Sequence, residues 1–266
     1  MDLYSVIQPR YLSTRYAHPV DQTITHTTHN KWYVRWYAKS KKSDSSTCCS
    51  VTSFVQKYAK CIAHNLIIRE VFCYIEKKGK HKPQKTTTTI DSVRQGGIDL
   101  HHDIQWFFNG YTARSPCCVF LEWWTSFQKR NVSLCPMRTE MILRSDANLQ
   151  LLGTADMLFY DTSISSTACL YIHLIDWKRT TNVHKNIKLS ILQLNTYKYL
   201  LETFYGNWSF DGVIYKTIKI KQLSLVVFQE DLRGVTEYNV EIISNKSFHT
   251  ILQQYVYDKS NIAQHT

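Results

Sequence analysis

Five residues in the second half of the chain have the types and spacing to do chemistry together. Asp176-Trp177-Lys178 closes an apolar run made of Leu170, Tyr171, Ile172, Leu174 and Ile175. Side chains alternate along a strand, so Asp176 and Lys178 share a face and aim a carboxylate and an ammonium at one point. An ordinary ion pair at a strand end has the same pattern. Asp156, in Gly153-Thr154-Ala155-Asp156, sits among Leu151, Leu152, Met157, Leu158 and Phe159. A carboxylate in such a run costs several kcal/mol unless it is paired or binds a cation. Gly153 lets the backbone bend or come close to a neighbour. Two carboxylates from paired strands beside a lysine make the hard-oxygen set that Mg²⁺ prefers. Gln193 and Tyr197 are four apart and share a helix face with Leu189, Leu200 and Phe204. A glutamine on that inward stripe is either a site residue or a hydrogen-bonded core amide.

The elements that must position these residues follow from periodicity. Leu149 to Tyr160 and Ala168 to Lys178 are strand-like runs around turn chemistry at Asp161 to Thr167, which predicts a hairpin. Ile187 to Phe204 has helical spacing, with Gly206 just beyond its end. Upstream, Lys31 to Lys39 (KWYVRWYAK) alternates as a half-buried strand would. Helical apolar spacing runs from Ser50 to Ile75, and a second helix is expected over Ile98 to Phe108. Val119 to Phe127, Glu140 to Leu143, Val213 to Tyr215 and Leu223 to Phe228 read as strands, and Phe248 to Tyr257 as a C-terminal helix. The order predicts a mixed α/β (α+β) domain, a central mixed sheet flanked by helices. The expected division is a basic N-terminal arm and helical region over 1–90 and a core over 91–266, the core forming one compact unit with 31–90.

The chain has 266 residues and a formal charge of +11, with 44% hydrophobic and 13% aromatic residues. Those proportions are globular and exclude a mainly disordered chain. No run reaches the ~18 apolar residues of a spanning helix, so no membrane partner is expected. The charge is uneven: residues 1–90 hold 15 Lys+Arg against 5 Asp+Glu, whereas 91–266 hold 17 against 16. Its densest part includes Lys77, Lys78 and Lys80, a solvated loop or a surface that tracks phosphates. Eight cysteines without a C-x-x-C form neither a compact disulfide framework nor a zinc ribbon and point to a reducing, intracellular compartment. A mitochondrial transit peptide is left open by Arg10 and Arg15. No nucleophile sits in a recognisable elbow, which leaves a serine or cysteine hydrolase without support.

Asp156, then Asp176-x-Lys178, then Gln193-x-x-x-Tyr197 resembles the active-site core of the PD-(D/E)xK nuclease superfamily, in its RecB and lambda-exonuclease branch. The phrase QLNTYKYLLETFYG is similar to the matching helix of members encoded by large DNA viruses, and Ser50-Val51-Thr52-Ser53-Phe54 resembles an entry found in them. The likeness is strong over 140–205 and looser over 50–140. It implies a restriction-endonuclease-like core and Mg²⁺- or Mn²⁺-dependent hydrolysis of DNA phosphodiesters, as in an exonuclease of replication, recombination or repair. It further implies Asp156 and Asp176 as metal ligands, helped by the Trp177 carbonyl and by Glu140 and His101, the latter in a helix that resembles the family's G-x-x-x-H opening. By that register His101, rather than His102, faces the site. Lys178 would orient or deprotonate the attacking water and neutralise phosphate charge, with Gln193 and Tyr197 positioning it or a phosphate. Arg179 and Lys185 would contact the DNA backbone, while Trp32, Tyr33, Trp36 and Tyr37 would stack single strands. The alternative is a catalytically inactive nuclease fold that only binds nucleic acid.

Overall fold

The computed structural model describes residues 16, 18–20, 24–26, 32–35, 45–47, 49–59, 68–75, 90–111, 116–180 and 183–264. Lys77, Lys78 and Lys80, like Trp36 and Tyr37, lie outside these residues. Strands β1 (Ile24–His26), β2 (Trp32–Arg35) and β3 (Ser45–Thr47) form a small antiparallel sheet. Next come β4 (Cys49–Ser50), α1 (Val51–Tyr58), β5 (Ile68–Ile75), α2 (Ile90–Phe108), α3 (Cys118–Arg130) and β6 (Leu134–Arg144). The second half contributes β7 (Leu151–Asp161), β8 (Cys169–Arg179), α4 (Val183–Phe204), β9 (Trp208–Phe210), β10 (Val213–Tyr215), β11 (Thr217–Phe228), β12 (Gly234–Val240) and α5 (Asn245–Gln264).

The protein is mixed α/β, with a seven-stranded sheet ordered β4-β7-β8-β11-β12-β5 and β6 also paired to β7. β7 and β8 are antiparallel, as the hairpin pattern predicts, while β8 and β11 run parallel. A parallel pair needs a long crossover, here α4 and the β9–β10 hairpin, so the geometry of the sheet itself places α4 across it. β4 and β5 precede residue 90 and belong to this sheet together with the strands of the core. No helix among the described residues is long and apolar enough to cross a membrane.

Alternation along β8 divides the core. Trp177 meets Phe120 and Trp123 of α3, and His173 meets Phe127. Asp176, between them in register, lies on the opposite face with Lys178, towards α4. Phe159 of β7 adds contacts to Phe108 of α2 and to Trp124 and Phe127 of α3. On the α4 side, Phe54 of α1 and Tyr199 of α4 both touch Phe248 of α5. Near the N-terminus, Tyr16 is tied down by Arg138 Nη1 and Trp208 Nε1, both donating to its carbonyl at 3.0 Å.

Two expectations need correction. Val119 to Phe127 is helix, not strand: Val119, Phe120, Trp123, Trp124 and Phe127 are buried at helical spacing, and packing against the sheet overrides the strand preference of aromatic residues. The helical stretch from Ser50 ends at Tyr58, and Ile68–Ile75 is an edge strand on β12. There Phe72 and Tyr74 are half-buried between exposed neighbours, a period of two that the apolar residues before them obscure.

Gly153 of β7 lies where α1 and α4 press on the sheet. A Cβ there would stand 2.7 Å from the Tyr197 ring and 2.7 Å from Val51 Cγ2. Val51 is fully buried and stiff at χ1, so it cannot turn aside. Gly153→Ala is therefore expected to lower the unfolding free energy by about 1–3 kcal/mol, measured by urea denaturation, despite the usual gain from replacing glycine in a strand.

Candidate metal centre

β7 and β8 are each 11 residues long, yet only Met157–Tyr160 pair with Ile172–Ile175. Beyond Met157 and Ile175 the two strands part, which leaves Trp177 without a ladder partner on that edge. Side chains take over. Asp156 Oδ2 accepts the Trp177 N–H at 2.8 Å, and His101 Nε2 lies 3.2 Å from the Trp177 carbonyl oxygen. The other edge of β8 stays in register with β11 through Leu225 at Asp176 and Val226 at Trp177.

Glu140 arrives from β6. The pairs Thr139 with Met157 and Met141 with Ala155 put it across from Asp156. The strand is bulged between Pro136 and Arg138, and Glu140 itself has φ 47°. A left-handed conformation at a residue with a Cβ costs about 1–3 kcal/mol and persists only where its surroundings hold it. The Glu140 Oε1 lies 3.2 Å from His101 Nδ1, which is also 3.7 Å from Asp156 Oδ2. Potential ligand atoms of His101, Glu140 and Asp156 all lie within 4.8 Å of one another. His102 is exposed.

Both His101 nitrogens face acceptors, a carboxylate on one side and a carbonyl on the other. Only the doubly protonated ring can donate to both. Burial alone would push this imidazole down, but the Asp156 and Glu140 charges outweigh it and lift it to about 9. Burial pushes the Asp156 carboxyl up, against the pull of His101 and Lys178.

Asp176 stands beside this triplet. It is 1% exposed, with Oδ2 2.6 Å from Lys178 Nζ in an ion-pair contact. Neither carboxylate oxygen accepts a hydrogen bond of good geometry. Burial lifts the carboxyl to about 6, with the Lys178 charge working in the other direction. Burial also works against the ammonium, but Asp176 and Asp156 hold Lys178 above its ordinary value. On α4, Gln193 Nε2 donates to Tyr197 Oη at 2.9 Å. Burial and the charges of Asp176 and Asp156 push the Tyr197 phenol up, so it acts as a neutral hydroxyl.

Arg179 is engaged within the fold: Nε and Nη2 donate to the Glu230 carbonyl at 2.9 and 2.5 Å. Its guanidinium packs closely against α2, where a Cβ at Gly96 would fall 2.0 Å from Nη1. A Cβ at the neighbouring Gly97 would meet nothing within 4 Å, so the close approach belongs to Gly96. Lys185 is on α4, with its side chain outside the described residues.

A buried carboxylate held by an ion pair without a well-formed hydrogen bond, two further carboxylates, an imidazole and a strand carbonyl form a donor set that a cation fits. The charged His101 ring and the Lys178 ammonium balance the acids. No family model matches the chain, and no curated protein matches it.

Stability should report this electrostatic arrangement. The folded His101 titrates above its ordinary 6.5, so its contribution is complete below about pH 6.5 and fades as pH rises through 9. Asp176 is likewise raised from 3.8 to about 6, and its contribution is lost as pH rises through that value. Both make the cation-free protein less stable towards alkaline pH. Added Mg²⁺ or Mn²⁺ should raise the melting temperature more at about pH 8.5 than at about pH 5.5, read by differential scanning fluorimetry.

Proposed function

We propose that this chain is a metal-dependent nuclease that hydrolyses DNA phosphodiester bonds, with Mg²⁺ or Mn²⁺ as cofactor. The observation that carries the reading is Asp176, buried and paired to Lys178 with no well-formed hydrogen bond to either oxygen, beside the His101, Glu140 and Asp156 triplet. Glu140, Asp156 and Asp176, with the Trp177 carbonyl and His101, would hold the ion. Oxygen donors dominate that set, which suits hard divalent cations. When bound, the ion supplies Lewis-acid polarisation of the phosphate and a water made acidic enough to attack.

The chain's own residues do the rest. Both His101 nitrogens face acceptors and carry protons, and one of these protons must leave before the ring can ligate. Lys178 keeps its proton at neutral pH, because Asp176 and Asp156 hold it charged. That favours Lys178 as the group that orients the scissile phosphate and neutralises its charge over Lys178 as a base. Tyr197, neutral and held by Gln193, can donate its hydroxyl to a phosphate oxygen or to one of the acids. The basic excess of the first 90 residues supplies attraction to the polyanion, independent of base sequence.

The test is cleavage of labelled single-stranded and duplex DNA with Mg²⁺ or Mn²⁺. Asp176→Ala and Lys178→Ala should each lower the cleavage rate by about a hundredfold or more while DNA binding persists. A wild-type protein that binds DNA but cleaves neither DNA nor RNA with either ion would leave the inactive, nucleic-acid-binding fold as the better account.

A further inference from the structure

The helix that carries His101 grips β6 a second time. Asn109, eight residues on and just past the last residue of α2, donates from Nδ2 to Thr139 Oγ1 at 2.9 Å and to the Gln105 carbonyl at 2.7 Å. The carbonyl of its own helix takes one amide N–H and so fixes which way the amide points; the other N–H reaches the strand. Asn109 and Thr139 are both buried. Thr139 immediately precedes Glu140, whose φ of 47° is the strained step of β6. On the other side of Thr139, the buried Arg138 donates from Nη1 to the Tyr16 carbonyl at 3.0 Å.

We infer that Asn109 is a positioning residue for the candidate metal centre: by holding Thr139 it fixes the left-handed backbone at Glu140 and with it the place of the Glu140 carboxylate. An extended conformation is open to any residue and would relieve the strain. The β6–β7 ladder holds the residues on either side, and a neighbour anchored by its side chain as well keeps Glu140 from relaxing into it. The Asn109–Thr139 bond is that anchor, and α2 thereby sets two members of the triplet, His101 directly and Glu140 through the strand. Breaking the bond frees the backbone to swing the carboxylate away from His101 and Asp156. It also leaves a buried polar partner unpaired, which opens the same region further. Positioning partners of this kind around metal ligands change affinity more than they change the ligands' identity.

The inference rests on reading the triplet as a metal centre, so the readout is ion binding by the intact chain and not cleavage. Mn²⁺ affinity would be measured by isothermal titration calorimetry for wild type, Asn109→Leu, Thr139→Val and Thr139→Ser, with circular dichroism to establish that each is folded. Asn109→Leu and Thr139→Val should each weaken Mn²⁺ binding about tenfold, and the double variant should be no weaker than either single one, since both break the same bond. Thr139→Ser keeps the hydroxyl and should bind close to wild type. If Asn109→Leu fails to fold, Thr139→Val, which keeps the volume of the side chain, carries the comparison with Thr139→Ser. Equal affinity in wild type, Asn109→Leu and Thr139→Val would overturn the inference alone. So would a loss in Thr139→Ser as large as in Thr139→Val, because the hydroxyl would then be irrelevant. A wild-type protein that binds no Mn²⁺ would overturn the metal-centre reading itself and the inference with it.

Discussion

The site depends on one backbone residue that has lost its ladder. Where β7 and β8 part, the N–H and C=O of Trp177 would face an opening with no strand to answer them, and buried backbone groups left in that state are costly. Asp156 and His101 answer them. This places a carboxylate and an imidazole within reach of each other at the fork, and the register of β6 brings Glu140 to the same place. A continuous β7–β8 ladder would be a better sheet and would have no site. The fork is held open from both sides: β8 keeps its full pairing to β11, and β7 keeps its pairing to β6 and, at its start, to β4.

Trp177 also ties the site to the core. Its ring is buried against Phe120 and Trp123, while its two sequence neighbours, Asp176 and Lys178, face the other way. Strand alternation thus gives one tripeptide two tasks, an aromatic anchor on one face and an ion pair on the other. α2 is matched to the same strand. Arg179 lies in the notch made by Gly96, His101 reaches the Trp177 carbonyl, and Asn109 holds Thr139 on β6. The helix therefore registers against β8 and β6 together.

Three carboxylates in so small a space repel one another, and burial raises the cost of each. The balance comes from a doubly protonated His101 and a charged Lys178. The strain at Glu140 and the lack of a well-formed hydrogen bond to the buried Asp176 carboxylate are the remaining costs, and both are of the kind that functional sites retain. The surplus of positive charge lies elsewhere in the chain, in the first 90 residues, while the part that holds the acids is nearly neutral.

Much of this was legible in the chain. Period-two alternation showed that Asp176 and Lys178 share a face, apolar flanks marked Asp156 as a carboxylate that needs a partner, and helical spacing put Gln193 beside Tyr197. These are local properties, set by the repeat of one strand or one helix. The aromatic run of α3 misled because aromatic side chains suit either element and only packing chooses between them. The close approach of Gly96 to Arg179, the left-handed step at Glu140 and the Asn109–Thr139 bond left no trace in the sequence. Each joins residues that are distant along the chain, and their geometry exists only once the sheet has set the register of β6, β7 and β8. The sequence by itself determined which side chains could do the chemistry. The tertiary structure alone decided where they meet, because the opening between β7 and β8 is a property of paired strands and belongs to neither one.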